Sequence, residues 1–310
     1  MIAVKQMLVL SILMLVGFIA YKKDIINREA HKKLSGIVVN IAAPASILVS
    51  VLSDRQFADG RALLQVILIA LVMHGAYLLL AQWIPGLLRV NKKDEKVYGV
   101  MTVFSNLSFI GFPVVSSLCG EQAVFYAAIF TLPYNILIYT YGVRSLSSGS
   151  DGESAPQITV RQILTRVCNV GILSCFVAIL LFITKIEVPD FLKSSLTMLG
   201  NLTAPLSMIC IGVSFALLNL RDVFLDCRLY VFSFLKLLAI PVLAMLLLDC
   251  FSVDSTVRTV CMIMFSVPVG SMTAMFAQEY GGNYELAAKG VALTTLLSVI
   301  TMPIVFALFF

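Results

Sequence analysis

The sequence predicts an all-α integral membrane protein: ten transmembrane helices in two inverted five-helix repeats, with broken helices 4 and 9 crossing at the midplane. Three observations carry this. Hydrophobic residues make up 60% of the 310 and charged ones 13%, with a mean hydropathy of +0.98; a soluble protein carries about 25% charge. Apolar runs near the roughly 20 residues that cross a bilayer recur along the whole chain. One offset of 161 residues lays the second half on the first.

The runs fall at 6–21, 34–53, 62–84, 97–119, 122–143, 163–184, 195–218, 229–249, 258–278 and 287–309. A basic cluster (Lys22, Lys23), not a small-residue cleavage site, follows the first run, which therefore reads as a span and not a signal peptide. Connections are short. The longest, Arg144 to Arg161, is Ser/Gly-rich and reads as a flexible linker. It separates a first repeat (1–143) from a second (162–310), with the linker at 144–161. Alternate connections hold 15 Lys and Arg on one side and 6 on the other. The richer side is cytoplasmic by the positive-inside rule. Both termini are then expected outside the cell membrane.

The offset superposes Asn40-Ile-Ala-Ala-Pro44-Ala-Ser46 on Asn201-Leu-Thr-Ala-Pro205-Leu-Ser207, with four of seven positions identical. It also sets Phe104-Ser105 on Phe265-Ser266 and Gly120 on Gly281. Five spans per half is an odd number, so the second copy enters the membrane from the opposite side. A transport site is expected where such inverted repeats meet, built from interrupted helices.

Two stretches match that description. In span four, Phe104-Ser105-Asn106-Leu-Ser108-Phe-Ile-Gly111-Phe-Pro113 places polar side chains beside a proline. Pro113 lacks an N–H and clashes with the carbonyl of Phe109. In span nine, Pro268 frees the carbonyl of Met264, with Gly270, Ser271 and Thr273 close by. Each helix is expected to break at its proline. The N-terminal ends so created carry partial positive charge and free N–H groups, which favour anions.

At these residues the chain resembles the auxin efflux carrier family, which includes plant auxin exporters and bacterial malate or malonate permeases. The matching stretches are Ser105–Pro113, Ala204–Gly212, Leu235-Lys236 through Pro241, and the run from Val267-Pro268 through Gln278–Gly281 to Pro303. The resemblance implies ten spans with spans four and nine crossing at their prolines. It implies a scaffold of spans 1, 2, 6 and 7, a mobile part of spans 3–5 and 8–10, and a homodimer through the scaffold. The implied substrates are organic anions. The chain lacks the long central loop of the larger plant carriers, so the short bacterial type and small carboxylates are the closer likeness.

Substrate-binding candidates are Ser105, Asn106, Gly111, Pro113, Val267, Pro268, Gly270 and Ser271, with Tyr134 and Asn135 lining the same cavity. Asn106 offers an amide N–H to a carboxylate; a helix–helix hydrogen bond is the plainer alternative. Lys236 is the one cation well inside a span, expected to attract the anion or to snorkel to the surface. His74 is the candidate for proton coupling. Asn40 and Asn201, four residues before Pro44 and Pro205, read as structural caps of the carbonyls those prolines free. Trp83 and Tyr98 fit interfacial belts.

Seven single cysteines without CxxC spacing read as packing residues, and neither a metal site nor a cofactor is expected. The net charge of +5 arises from loops and is no nucleic-acid signal. No HExxH, paired Asp motif or Ser with a plausible His base points to an enzyme. The expectation is a secondary transporter of a small carboxylate, working by alternating access and driven outward by the membrane potential. The alternative is a sodium- or proton-coupled symporter of bile-acid-symporter-like architecture.

Overall fold

The structure, a computed structural model, describes residues 2–53, 59–147, 170–217 and 226–309. Most of the Arg144–Arg161 linker and the start of the run at 163–184 lie outside the described residues. Among those described, everything regular is helical apart from one isolated bridge.

The first half contains α1 (Ile2–Lys22), α2 (Arg28–Ile37) leading into α3 (Ala43–Ser53), and α4 (Gly60–Leu87). Then come α5 (Lys92–Val103), α6 (Phe112–Cys119), and α7 (Val124–Leu137) leading into α8 (Val143–Ser147). The second half contains α9 (Val170–Thr184), α10 (Asp190–Gly200), α11 (Thr203–Ala216), and α12 (Cys227–Phe234) leading into α13 (Ile240–Leu248). It closes with α14 (Ser255–Ser266), α15 (Ser271–Glu279) and α16 (Tyr284–Phe309). Among the described residues, six continuous helical stretches are long and apolar enough to cross a membrane: Arg28–Leu52, Gly60–Leu87, Glu121–Leu146, Asp190–Ala216, Cys227–Leu248 and Tyr284–Phe309. Shorter apolar helices cover Leu8–Lys22, Leu107–Cys119, Val170–Thr184 and Ser255–Ser266.

Three helices widen into a π-turn just ahead of a proline. The turns are Val38–Ala42, Leu107–Gly111 and Leu235–Ala239; Pro44, Pro113 and Pro241 follow each by two positions. The residue before each proline bonds five residues back: Ala43 N–H to Val38, Phe112 N–H to Leu107, Ile240 N–H to Leu235. A proline ring crowds the carbonyl four residues earlier, and a turn with one extra residue makes room for it. Pro113 therefore widens its helix and starts α6. It does not break the chain, as the sequence suggested it would.

Burial inverts the pattern of a soluble protein. Leu8, Ile12 and Leu15 on α1, and Leu173, Phe176 and Leu180 on α9, stand exposed, whereas His74, Asn106 and Lys236 are buried. Every residue from Val97 to Leu107 and from Val260 to Gly270 is buried. The interior is thus centred on the two stretches that precede the interruptions. Trp83 is exposed, as a belt residue would be; Tyr98 is instead buried, with its ring 5.4 Å from that of Phe232.

Around this interior α1 lies along α11, and α3 packs on α9 and α10. The α1–α11 contact is backbone against backbone. A Cβ at Gly17 would stand 2.1 Å from the Ile209 carbonyl oxygen, and one at Gly212 would stand 1.8 Å from that of Met14. Only glycine fits at either position.

Candidate functional site

The two interrupted helices meet at their interruptions. α5 ends at Val103 and α14 at Ser266, and the segments that follow run antiparallel, with Ser105 bridged to Val269. The Asn106 N–H donates to the Pro268 carbonyl at 2.7 Å, and the Gly270 N–H donates to the Phe104 carbonyl at 2.9 Å. Buried backbone groups must find partners, and here each interrupted helix supplies them to the other. A Cβ on Gly270 would lie 2.9 Å from the Ser105 oxygen, so the close approach demands glycine. At Gly111, one layer away, a Cβ would meet the Met264 sulfur at 2.9 Å, a contact that the flexible methionine side chain can relieve. The Val269 N–H is held by Thr294 Oγ1 of α16 at 3.2 Å.

Span nine breaks at its proline, as expected, since Pro268 lies inside the bridge. Span four breaks at Phe104–Asn106, seven residues ahead of Pro113. What opens span four is its pairing with span nine and not a missing N–H at Pro113.

Four half-helix ends face this crossing. The two N-terminal ends, at Leu107 after Asn106 and at Ser271 after Gly270, carry no side-chain cap. Among the described residues, Ser105 Oγ and Thr273 Oγ1, each within three residues of one of these ends, are buried without a hydrogen-bond partner. The buried Asn106 carboxamide makes no hydrogen bond among the described residues either, so the helix–helix alternative for it is not realised. Buried polar groups without partners are costly, and helix N-terminal ends carry partial positive charge. Such ends favour an anion.

The two C-terminal ends are served differently. Lys236, in the π-turn between α12 and α13, is wholly buried and donates from Nζ to the Thr102 carbonyl of α5 at 2.7 Å. It points inward and does not snorkel. Tyr77 of α4 reaches the Phe265 carbonyl of α14 at 3.5 Å. Its ring also lies under the Lys236 ammonium, 4.2 Å from Nζ to the centroid. Sequence reasoning passed over Tyr77. A tyrosine at the centre of an apolar run, far from either interfacial belt, was the signal available for it.

His74, one turn before Tyr77, is buried among aromatic rings. Its Nδ1 lies 2.7 Å from the Ala70 carbonyl oxygen, which puts the proton of the neutral ring on Nδ1. Tyr134 packs edge-on to Phe104 at the bridge, with centroids 5.4 Å apart, and touches the His74 ring. Asn135 turns back on its own helix, donating to the Thr131 carbonyl at 2.9 Å.

The remaining candidates stand outside the crossing. Asn40 is exposed and donates to the Gly36 carbonyl at 3.0 Å, one turn earlier than the carbonyl that Pro44 affects. Asn201 lies in the exposed turn between α10 and α11, and Pro205 sits in the first turn of α11, where no N–H is required of it. Pro113 lines a cavity of about 80 Å³ with Ser46, Phe112, Ser116, Asn201 and Thr203, between α3, α6 and the α10–α11 turn. Ser214 Oγ comes within 3.3 Å of His31 Nε2, a pairing not anticipated, but both atoms approach the Cys210 carbonyl, at 3.0 Å each. An imidazole donating from Nε2 to that carbonyl cannot take a proton from Ser214. Among the described residues no group of three or more His, Cys, Asp or Glu could hold a metal ion.

A family model described as "Membrane transport protein" matches residues 2–306. An uncharacterized transporter of Methanocaldococcus jannaschii is 28% identical over 317 aligned positions, covering 98% of each chain. An uncharacterized transporter of Methanothermobacter thermautotrophicus is 24% identical, covering 96% of this chain and 95% of its own. A provisionally named malonate transporter of Rhizobium meliloti is 24% identical over 67% of this chain and 65% of its own.

Proposed function

This chain belongs to the membrane transport protein family, that of the auxin efflux carriers, and on that premise we propose that it carries a small organic carboxylate across the cytoplasmic membrane by alternating access. It is a transporter and not an enzyme. The observation that carries the substrate reading is the pair of uncapped helix N-termini, with the buried Ser105 and Thr273 hydroxyls unpartnered among the described residues and the Asn106 carboxamide making no hydrogen bond there. Ser271, Val267, Pro268 and Gly270 shape the same crossing, and Tyr134 walls it. A three- or four-carbon dicarboxylate suits the closeness of the two ends, and a relative's name points to malonate.

The proposed architecture is ten spans in two inverted repeats. Its support is the recurrence of elements at the single offset of 161: α3 against α11, α5 against α14, α6 against α15, α7–α8 against α16. The packing of α1 on α11 and of α9 on α3 are likewise each other's counterparts at that offset. The α1–α3 and α9–α11 helices form the proposed scaffold and homodimer surface, with the rest mobile. With Lys- and Arg-rich connections inside, both termini lie outside. Each negative charge exported gains about 2.3 kcal/mol per 100 mV of inside-negative potential, twice that for a dicarboxylate dianion, so efflux needs no coupling ion.

The test is flux in liposomes whose potential is set with potassium and valinomycin. Labelled malonate, malate and an aromatic monocarboxylate are each offered with and without sodium or a pH gradient. Malonate or malate flux that follows potential alone is expected. Flux that demands protons would assign coupling to His74, and flux of none of the three would end the carboxylate reading.

A further inference from the structure

Lys236 is placed at the crossing, yet its charge is not open to a ligand. Its Nζ is taken up by the Thr102 carbonyl and the face of Tyr77. No carboxylate pairs with it among the described residues. Thr102 is one residue from the end of α5, so its carbonyl is one of the last four that an ending helix leaves without an N–H. The Asn106 N–H, which would have served it in a continuous helix, is bonded to Pro268 instead. Such an end carries about half a negative charge, and an aromatic face adds further attraction for a cation. A carbonyl oxygen at a helix C-terminus, backed by a π-face in a dry interior, is a seat for a small cation. The protein fills it with its own ammonium.

We propose that Lys236 is a tethered cation in the seat that a coupling ion would occupy, so that the anion moves without a co-ion. This rests on the carboxylate reading above and bears on its coupling. Among the described residues the equivalent end of α14 receives the neutral Tyr77 hydroxyl, so one cation, not two, is seated behind the crossing.

The experiment uses the full chain in detergent and in liposomes, with malonate as the probe. For the wild type, unfolding temperature, malonate-induced stabilisation and flux should be equal in sodium, potassium and choline chloride, and the charge moved per labelled malonate should be that of the anion alone. Lys236→Ala empties the seat. In choline, which is too large for it, the variant should bind malonate about tenfold more weakly or worse, and methylammonium or sodium should restore binding saturably. A structural cap alone would not make binding depend on the identity of a small cation. Lys236→Arg keeps the charge and should remain indifferent to cations even if the alanine variant does not fold. Wild-type flux that requires sodium would overturn the proposal. So would a folded alanine variant that binds malonate in choline as tightly as the wild type, or an arginine variant that needs a cation. If the wild type does not bind malonate, the carboxylate reading fails, while the cation dependence of the variants' unfolding temperature still decides on Lys236.

Discussion

At the end of α5 the Thr102 carbonyl accepts from an ammonium on the π-turn after α12; at the end of α14 the Phe265 carbonyl accepts from a phenol on α4. The two helices that deliver these groups correspond at the offset of 161, and so do the two that receive them. The delivering residues do not correspond: Lys236 falls on Gly75, and Tyr77 on Leu238. Each half of the chain meets the same physical need, an orphaned carbonyl at an ending helix, from the helix that corresponds at this offset but with a different residue. The elements correspond and the charges do not. The crossing so built holds two uncapped helix N-termini and one buried lysine.

The comparison breaks most completely at the bridge that both ends share. Gly270→Ala forces a Cβ against the Ser105 backbone and should cost about 3 kcal/mol through overpacking and lost hydrogen bonds, abolishing flux; thermal unfolding in detergent and liposome uptake read both. Next comes the charged end. Lys236→Met removes the donor to Thr102 and should cost about 2 kcal/mol for the carbonyl left unpaired, again visible in the unfolding temperature. Asn106 has no amide counterpart in the span-nine segment, and Asn106→Ala should weaken malonate binding about tenfold, about 1.4 kcal/mol, while leaving stability within about 0.5 kcal/mol. Equal affinity in the folded variant would take Asn106 out of the site. The smallest effect belongs to the neutral end: Tyr77→Phe loses a long hydrogen bond but keeps the ring under Lys236, and should cost less than about 1 kcal/mol. A loss equal to that of Lys236→Met would show the two ends to be energetically alike.

Much of this was legible in the sequence because it follows from composition and period. A chain 60% hydrophobic has to be a membrane protein; the register of the two halves, read from the Asn-x-x-x-Pro matches, remains part of the proposal above. Pro268 marked its interruption correctly because an extended segment with no N–H to give suits a bridge partner. Pro113 misled, since a missing N–H can be absorbed by a wider turn, and whether it is depends on what lies across the interior. Lys236 was visible as an oddity, but its direction was not: a side chain of that length can reach the surface or a carbonyl, and only the position of the α5 terminus decides. Tyr98 failed for a similar reason, because Phe232, its ring partner, is more than a hundred residues away in sequence.

The π-turn at Leu235–Ala239 has a mechanical meaning beyond making room for Pro241. One more residue in a regular helix would swing everything after it by about 100° around the axis, whereas this wider turn takes the extra residue up locally. Deleting one residue there would restore a regular helix and leave the faces of α12 and α13 aligned with each other. Deleting one from the regular turns of α13 would instead rotate the buried Ile240 and Ala244 away from the positions they fill. A one-residue change in length is therefore tolerated at this turn and not elsewhere in the span.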